Sequence, residues 1–183
     1  ARSPLRLLAY TLMGNHWHFV VWPRRGQGQQ VADFFRRLTV THAQRWHAHH
    51  ATSGMGHVYQ GRFKSFPVAS DEHLRAVLRY VERNPLRAGL VSRAEAWRWG
   101  SLYRRGNAAI EPAIELTDPP IALGGSWRTY VNRPQTEADR FLRVPPLQLA
   151  RIHFLHHEIA RPVVALGRHR EDHPRRGRRD PSS

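Results

Sequence analysis

Two residues, Gly14 and Asn15, separate an apolar run from an alternating one, and this commits the start of the chain to an antiparallel hairpin. Leu5 to Met13 is apolar enough for a buried strand. His16 to Trp22 then alternates: His16, His18, Val20 and Trp22 share one face, while Trp17, Phe19 and Val21 share the other. Two histidines two residues apart on a strand point the same way. That is the first constraint on function as well as on fold.

Periodicity changes from two to 3.6 after the polar stretch Pro23 to Gln30. Val31, Phe35, Leu38, His42 and Trp46 recur at helical spacing, which predicts a helix over 29–49, broken by Thr52-Ser53-Gly54. Alternation returns from His57 to Val68. It predicts a strand with Val58, Gln60, Arg62, Lys64 and Phe66 on one side and Tyr59 and Phe63 on the other. Ser70 is suited to cap a second helix, Asp71 and Glu72 suit its positive first turn, and Leu74, Val77, Leu78 and Val81 form its buried stripe. Pro85 predicts that this helix stops at Asn84. Trp97, Trp99 and Tyr103 read as a closing aromatic anchor. Hairpin, helix, strand and helix thus follow one another within a first domain over 1–107. Residues 108–166 read as a poorly defined extension with room for one more helix over Ser126 to Leu142. Residues 167–183, with six arginines among Gly, Pro, Asp and Ser, read as a disordered basic tail.

Charge narrows the partner. Of the +15 net charge, residues 1–107 supply +12, from 17 Lys/Arg against 5 Asp/Glu. Such a balance points to a polyanion. Only one of the 29 basic residues is lysine, Lys64, a bias that base composition alone can produce, yet arginine is also the better phosphate fork. With no cysteine, thiolate metal sites, disulfides and thiol nucleophiles are excluded. No apolar run reaches the length of a membrane span and no leader pattern opens the chain, so a bacterial cytoplasmic protein that works on the nucleoid is expected.

Near the end of the second helix, Tyr80 and Asn84 stand four residues apart and leave the same side, with Arg83 and Arg87 beside them. Each has an ordinary explanation: a tyrosine at the edge of a packed helix, an asparagine before a proline, a solvated basic face. Among 13 histidines a His-x-His pair arises by chance, and His47-Ala48-His49 is a second one. On a helix, however, i and i+2 diverge, so only His16 and His18 can chelate together. Two imidazoles, an amide oxygen and a phenol in one chain suggest metal-assisted attack of tyrosine on a phosphodiester.

In combination these segments resemble the single-tyrosine HUH transposases, in particular the REP-associated tyrosine transposases of the IS200-like group. The resemblance is carried by Ala9 to His18, by Tyr59-Gln60-Gly61-Arg62-Phe63-Lys64, by Leu78 to Val91, and by Trp97-Arg98-Trp99-Gly100-Ser101-Leu102-Tyr103. It implies an α+β fold, an antiparallel sheet with packed helices of the ferredoxin-like HUH endonuclease kind, short of the strand and helix that usually precede the Ala9 segment. It implies His16 and His18 as metal ligands with Asn84 as the third, Mg²⁺ or Mn²⁺ as the ion, and Tyr80 as the nucleophile. It further implies cleavage and rejoining of single-stranded DNA beside REP-like hairpins through a 5′-phosphotyrosine, by a monomer. Arg36, Arg37, Arg45, Gln60, Arg62, Lys64, Arg83 and Arg87 are the candidate DNA contacts. The chain departs from the family at Gly14, where proline is usual, and from Asp139 onwards. The alternative is a non-catalytic remnant that binds hairpin or single-stranded DNA.

Overall fold

A computed structural model describes residues 5–107, 109, 114–134 and 163–168. The predicted hairpin forms from β1 (Arg6–Leu12) and β2 (His16–Trp22), antiparallel, with Thr11 opposite His18 and Leu12 opposite Trp17. A bulge between Leu7 and Ala9 shifts the register, and Leu8 and Ala9 are both fully buried in the same core. Helix α1 spans Gln29–His50, β3 spans Lys64–Pro67 and α2 spans Asp71–Arg87. A single 3₁₀ turn at Ala94–Ala96 leads to the short helices α3 (Ser101–Gly106) and α4 (Trp127–Asn132). The architecture is α+β, an antiparallel sheet with helices packed on it.

The alternation of β2 divides the molecule into two cores. Val20 joins Leu8, Phe66, Leu74, Val77, Leu78 and Val81 beneath α2, and Trp127 and Val131 of α4 close that core. On the other face Trp17 and Val21 pack with Val31 and Phe35 of α1, the Trp17 and Phe35 rings stacking at 5.2 Å and 11°. The apolar stripe of α1 is used only in its first half. His42 and Trp46 are half-buried and belong to neither core, and the Tyr59 hydroxyl meets His42 Nδ1 at 2.8 Å.

Three expectations are corrected. First, the alternating segment from His57 to Val68 is a strand only over Lys64–Pro67. Gly56 and Gly61 sit at φ of +102° and +144°, which breaks extended pairing, and the Tyr59 to Phe63 stretch folds against α1 instead. Second, Pro85 lies inside α2. It removes the N–H that would bond the Val81 carbonyl, and the buried Thr11 hydroxyl donates to that carbonyl at 2.7 Å in its place. The helix ends at Arg87 because Gly89 is left-handed (φ +71°), with Gly89 N–H on Leu86 O and Leu90 N–H on Pro85 O. Third, a strand that the alternation did not suggest completes the sheet. Strand β4 (Val163–Arg168) runs antiparallel between β2 and β3, giving the order β1-β2-β4-β3. Gly167 and Arg168, read above as the start of the tail, thus belong to β4, and 169–183 lie outside the described residues, as does everything from 135 to 162. Helix α4 falls within the segment set aside for a further helix.

Trp97 does anchor the end of β1: its indole N–H donates to Leu12 O at 2.9 Å. Trp99 contributes its backbone oxygen to Leu12 N–H, while its ring is half exposed.

Candidate active site

The face of β2 that meets α2 presents His16 and His18 side by side, ring centroids 5.0 Å apart and planes at 89°. Tyr80 and Asn84, one turn apart on α2, come down on the same corner. The Tyr80 ring stands edge-on to His18 at 5.6 Å, and Asn84 Nδ2 lies 2.7 Å from His18 Nε2. All four residues named from the sequence are therefore brought together. His18 and Asn84 are buried at 4% exposure each, whereas His16 and Tyr80 are half-buried and face the rim.

Hydrogen-bonding chemistry fixes the imidazoles. An amide nitrogen can only donate, so His18 accepts on Nε2 and carries its proton on Nδ1. Asn15 Oδ1 lies 2.6 Å from His16 Nδ1 and can only accept, so this ring also has its lone pair on Nε2. Asn15 was legible only as a turn residue. Its side chain holds His16 as second-sphere carbonyl oxygens hold metal-binding histidines. Two Nε2 lone pairs and an amide make a donor set that a divalent ion accepts, Asn84 offering oxygen after a half-turn of its amide. The residues fit a metal. Among the described residues no three His, Cys, Asp or Glu side chains gather in ligand range.

The rest of α2 is held from behind. Glu82 is fully buried; Ser101 Oγ donates to one carboxylate oxygen at 2.8 Å and Trp127 Nε1 to the other at 2.7 Å. Burial pushes its pKa above the usual carboxylate value, against those two hydrogen bonds and the charge of Arg105. Arg79, also buried, donates to the carbonyls of Tyr130, Arg133 and Pro134 at the end of α4. Neither Glu82 nor Arg79 stood out in the sequence, because a charge two or three turns into a helix reads as solvated.

The candidate DNA contacts divide between the faces. Arg87 lies over the Tyr80 ring, its guanidinium carbon 5.3 Å from the centroid, while Arg83 donates to Val131 O at 2.8 Å. Arg36, Arg37 and Arg45 are exposed on α1, Gln60 and Arg62 in the segment before β3, and Lys64 on β3 itself. Among the described residues no helix is long and apolar enough to cross a membrane.

Residues 2–84 match a family model described as "Transposase IS200 like". The matched segment, a little under half of the chain, contains His16, His18, Tyr80 and Asn84. No curated protein and no solved structure matches the chain.

Proposed function

We propose that this chain is a single-tyrosine HUH transposase of the REP-associated kind, cutting and rejoining single-stranded DNA through a covalent bond to Tyr80. The observation that carries the reading is the corner itself. A phenol, two imidazoles and an amide converge from β2 and α2, His18 and Asn84 being 66 residues apart in sequence, and of the four the phenol and the His16 imidazole are the more exposed.

In this reading Tyr80 Oη attacks the scissile phosphorus and loses its proton. An O–P bond forms to the tyrosine, the P–O3′ bond breaks, and the leaving oxygen departs as a 3′-hydroxyl. The 5′-phosphotyrosine keeps the bond energy, so a 3′-hydroxyl can reverse the step without another energy source. His16, His18 and Asn84 would hold Mg²⁺ or Mn²⁺, which would bind the phosphate and draw off its charge. Arg87 beside the phenol ring supplies a second positive charge where the phosphate must lie. His18 and Asn84 are buried side by side, so both are already in place when a strand arrives, and metal binding would exchange their mutual hydrogen bond for two metal–ligand bonds. The partner is DNA carrying REP-like hairpins, the protein acts as a monomer, and its place is the bacterial cytoplasm at the nucleoid.

The test is covalent capture. A labelled single-stranded hairpin library is incubated with Mn²⁺ and run on a denaturing gel. An adduct is expected with this protein and none with Tyr80→Phe. DNA bound without any adduct would leave the non-catalytic remnant as the correct account.

A further inference from the structure

A groove of about 1180 Å³ lies between α1 and residues 56–63, bordered by Arg36, His47, Tyr59, Gln60, Arg62 and Phe63. It is on the α1 side of the sheet. Because β2 alternates, Trp17 and Phe19 face that side while His16 and His18 face α2. The sheet separates this groove from Tyr80.

We propose that the groove is a second nucleic-acid site, which takes an unpaired stretch of the strand whose cleavage is assigned to Tyr80. The proposal rests on the reading of DNA as partner. Its floor is aromatic and fixed. Phe63 packs on Phe35 at 5.1 Å between centroids, Phe35 stacks on Trp17, and Tyr59 is tied to His42. Its rim is cationic. Arg62 is exposed with no ion pair among the described residues, and Arg36 is joined only across 3.2 Å to the exposed Asp33. An exposed pair of that kind contributes little in water and yields readily to a phosphate. Among the described residues that line the groove, Asp33 is the only acidic one.

An aromatic floor with an arginine rim suits a partner that offers base faces and phosphates together. A single strand does so; a duplex hides its base faces in the stack. Each phosphate gripped by an arginine contributes to the salt dependence of binding, and each base on a ring adds affinity that a bare sugar-phosphate chain lacks.

The experiment uses the full chain carrying Tyr80→Phe, so that cleavage does not complicate binding. Fluorescence anisotropy is read with three labelled probes: a twelve-residue oligothymidylate, an abasic twelve-mer with the same phosphates, and a twelve-pair duplex. The oligothymidylate is expected to bind at least about fivefold more tightly than the abasic chain. Adding Arg36→Ala and Arg62→Ala is expected to weaken oligothymidylate binding at least tenfold. It should also reduce the slope of log K against log salt by about 1.4, two phosphates at about 0.7 each. Both arginines are exposed, so the helical circular dichroism and thermal midpoint should not move. Unchanged affinity and slope in the arginine pair would overturn the proposal, as would tighter binding of the duplex than of the single strand. Covalent capture by the chain with native Tyr80 keeps the two readings apart. An adduct without dependence on the arginine pair removes the groove alone. Arginine-dependent binding without any adduct removes the catalytic reading alone.

Discussion

Thr11 shows how much one side chain can decide. It sits in an apolar strand and looks like filler in the sequence, yet its hydroxyl carries the hydrogen bond that Pro85 cannot make to Val81 O. Val81 follows Tyr80 directly, so this bond also fixes the backbone beside the proposed nucleophile. Thr11→Val keeps the shape and removes the donor, leaving a buried carbonyl unpaired at a cost of about 1–3 kcal/mol. Urea unfolding should show a lower midpoint at unchanged slope. An unchanged midpoint would mean that the proline in α2 is tolerated for some other reason. The histidine pair and the Tyr80/Asn84 pair were legible at this scale because each is a local spacing within one element. Thr11 and Glu82 were not legible, since each acts on a partner far along the chain, and Asn15 was not because its turn role hid the bond it makes to the neighbouring His16 ring.

At the scale of elements, each helix carries a testable irregularity. Helix α1 ends on Ala51, a left-handed alanine at φ +51° whose N–H caps His47 O. A side chain there costs about 1–2 kcal/mol, and glycine returns part of that as unfolded-state entropy, so Ala51→Gly should stabilise by about 0.5–1 kcal/mol. A small rise in thermal midpoint is the expected result, and a fall would place the strain elsewhere. Helix α2 is anchored by Glu82, whose folded pKa is raised by burial above its ordinary value of 4.5. The folded state therefore holds the Glu82 proton more tightly than the unfolded chain does. This contribution is fully present below pH 4.5 and is lost as pH rises through the folded value. Glu95 works in the opposite sense: desolvation raises its pKa, but hydrogen bonds from Asn132, from its own backbone and from Arg93, with the Arg93 charge, outweigh it and lower the pKa overall. Comparing Glu82→Gln with the parent isolates the first effect. The parent should lose stability relative to the glutamine variant as pH rises from about 4.5, read from urea midpoints at several pH values. Parallel curves would show that Glu82 titrates as it does in the unfolded chain.

Across the whole molecule, the sheet depends on a strand from near the far end of the chain. β4 pairs with β2 on one side and β3 on the other, so the histidine strand and the strand leading into α2 meet only through it. Gly167 lies opposite Trp17, and a Cβ there would overlap the indole ring. Gly167→Val should therefore destabilise by about 1–3 kcal/mol through overpacking. Because β4 abuts β2, the variant should also weaken capture at Tyr80. A variant with the parent's thermal midpoint would show that β4 is not held against Trp17 in solution.

The sequence by itself determined the hairpin, both long helices, the two faces of β2 and the four residues of the candidate site. The elements follow from local rules: alternation of two on a strand, 3.6 on a helix, a turn pair, a capping serine; the four site residues were singled out by their spacing together with the family resemblance their segments carry. Tertiary structure alone decided that α2 runs through Pro85, because the missing bond is satisfied by a residue 70 positions away. It decided that residues 57–63 leave the sheet for α1, because their apolar side chains find Phe35 there. It placed β4 between β2 and β3, a pairing between segments more than 90 residues apart. A short apolar run has no preference among partners until the rest of the sheet exists to offer it two open edges.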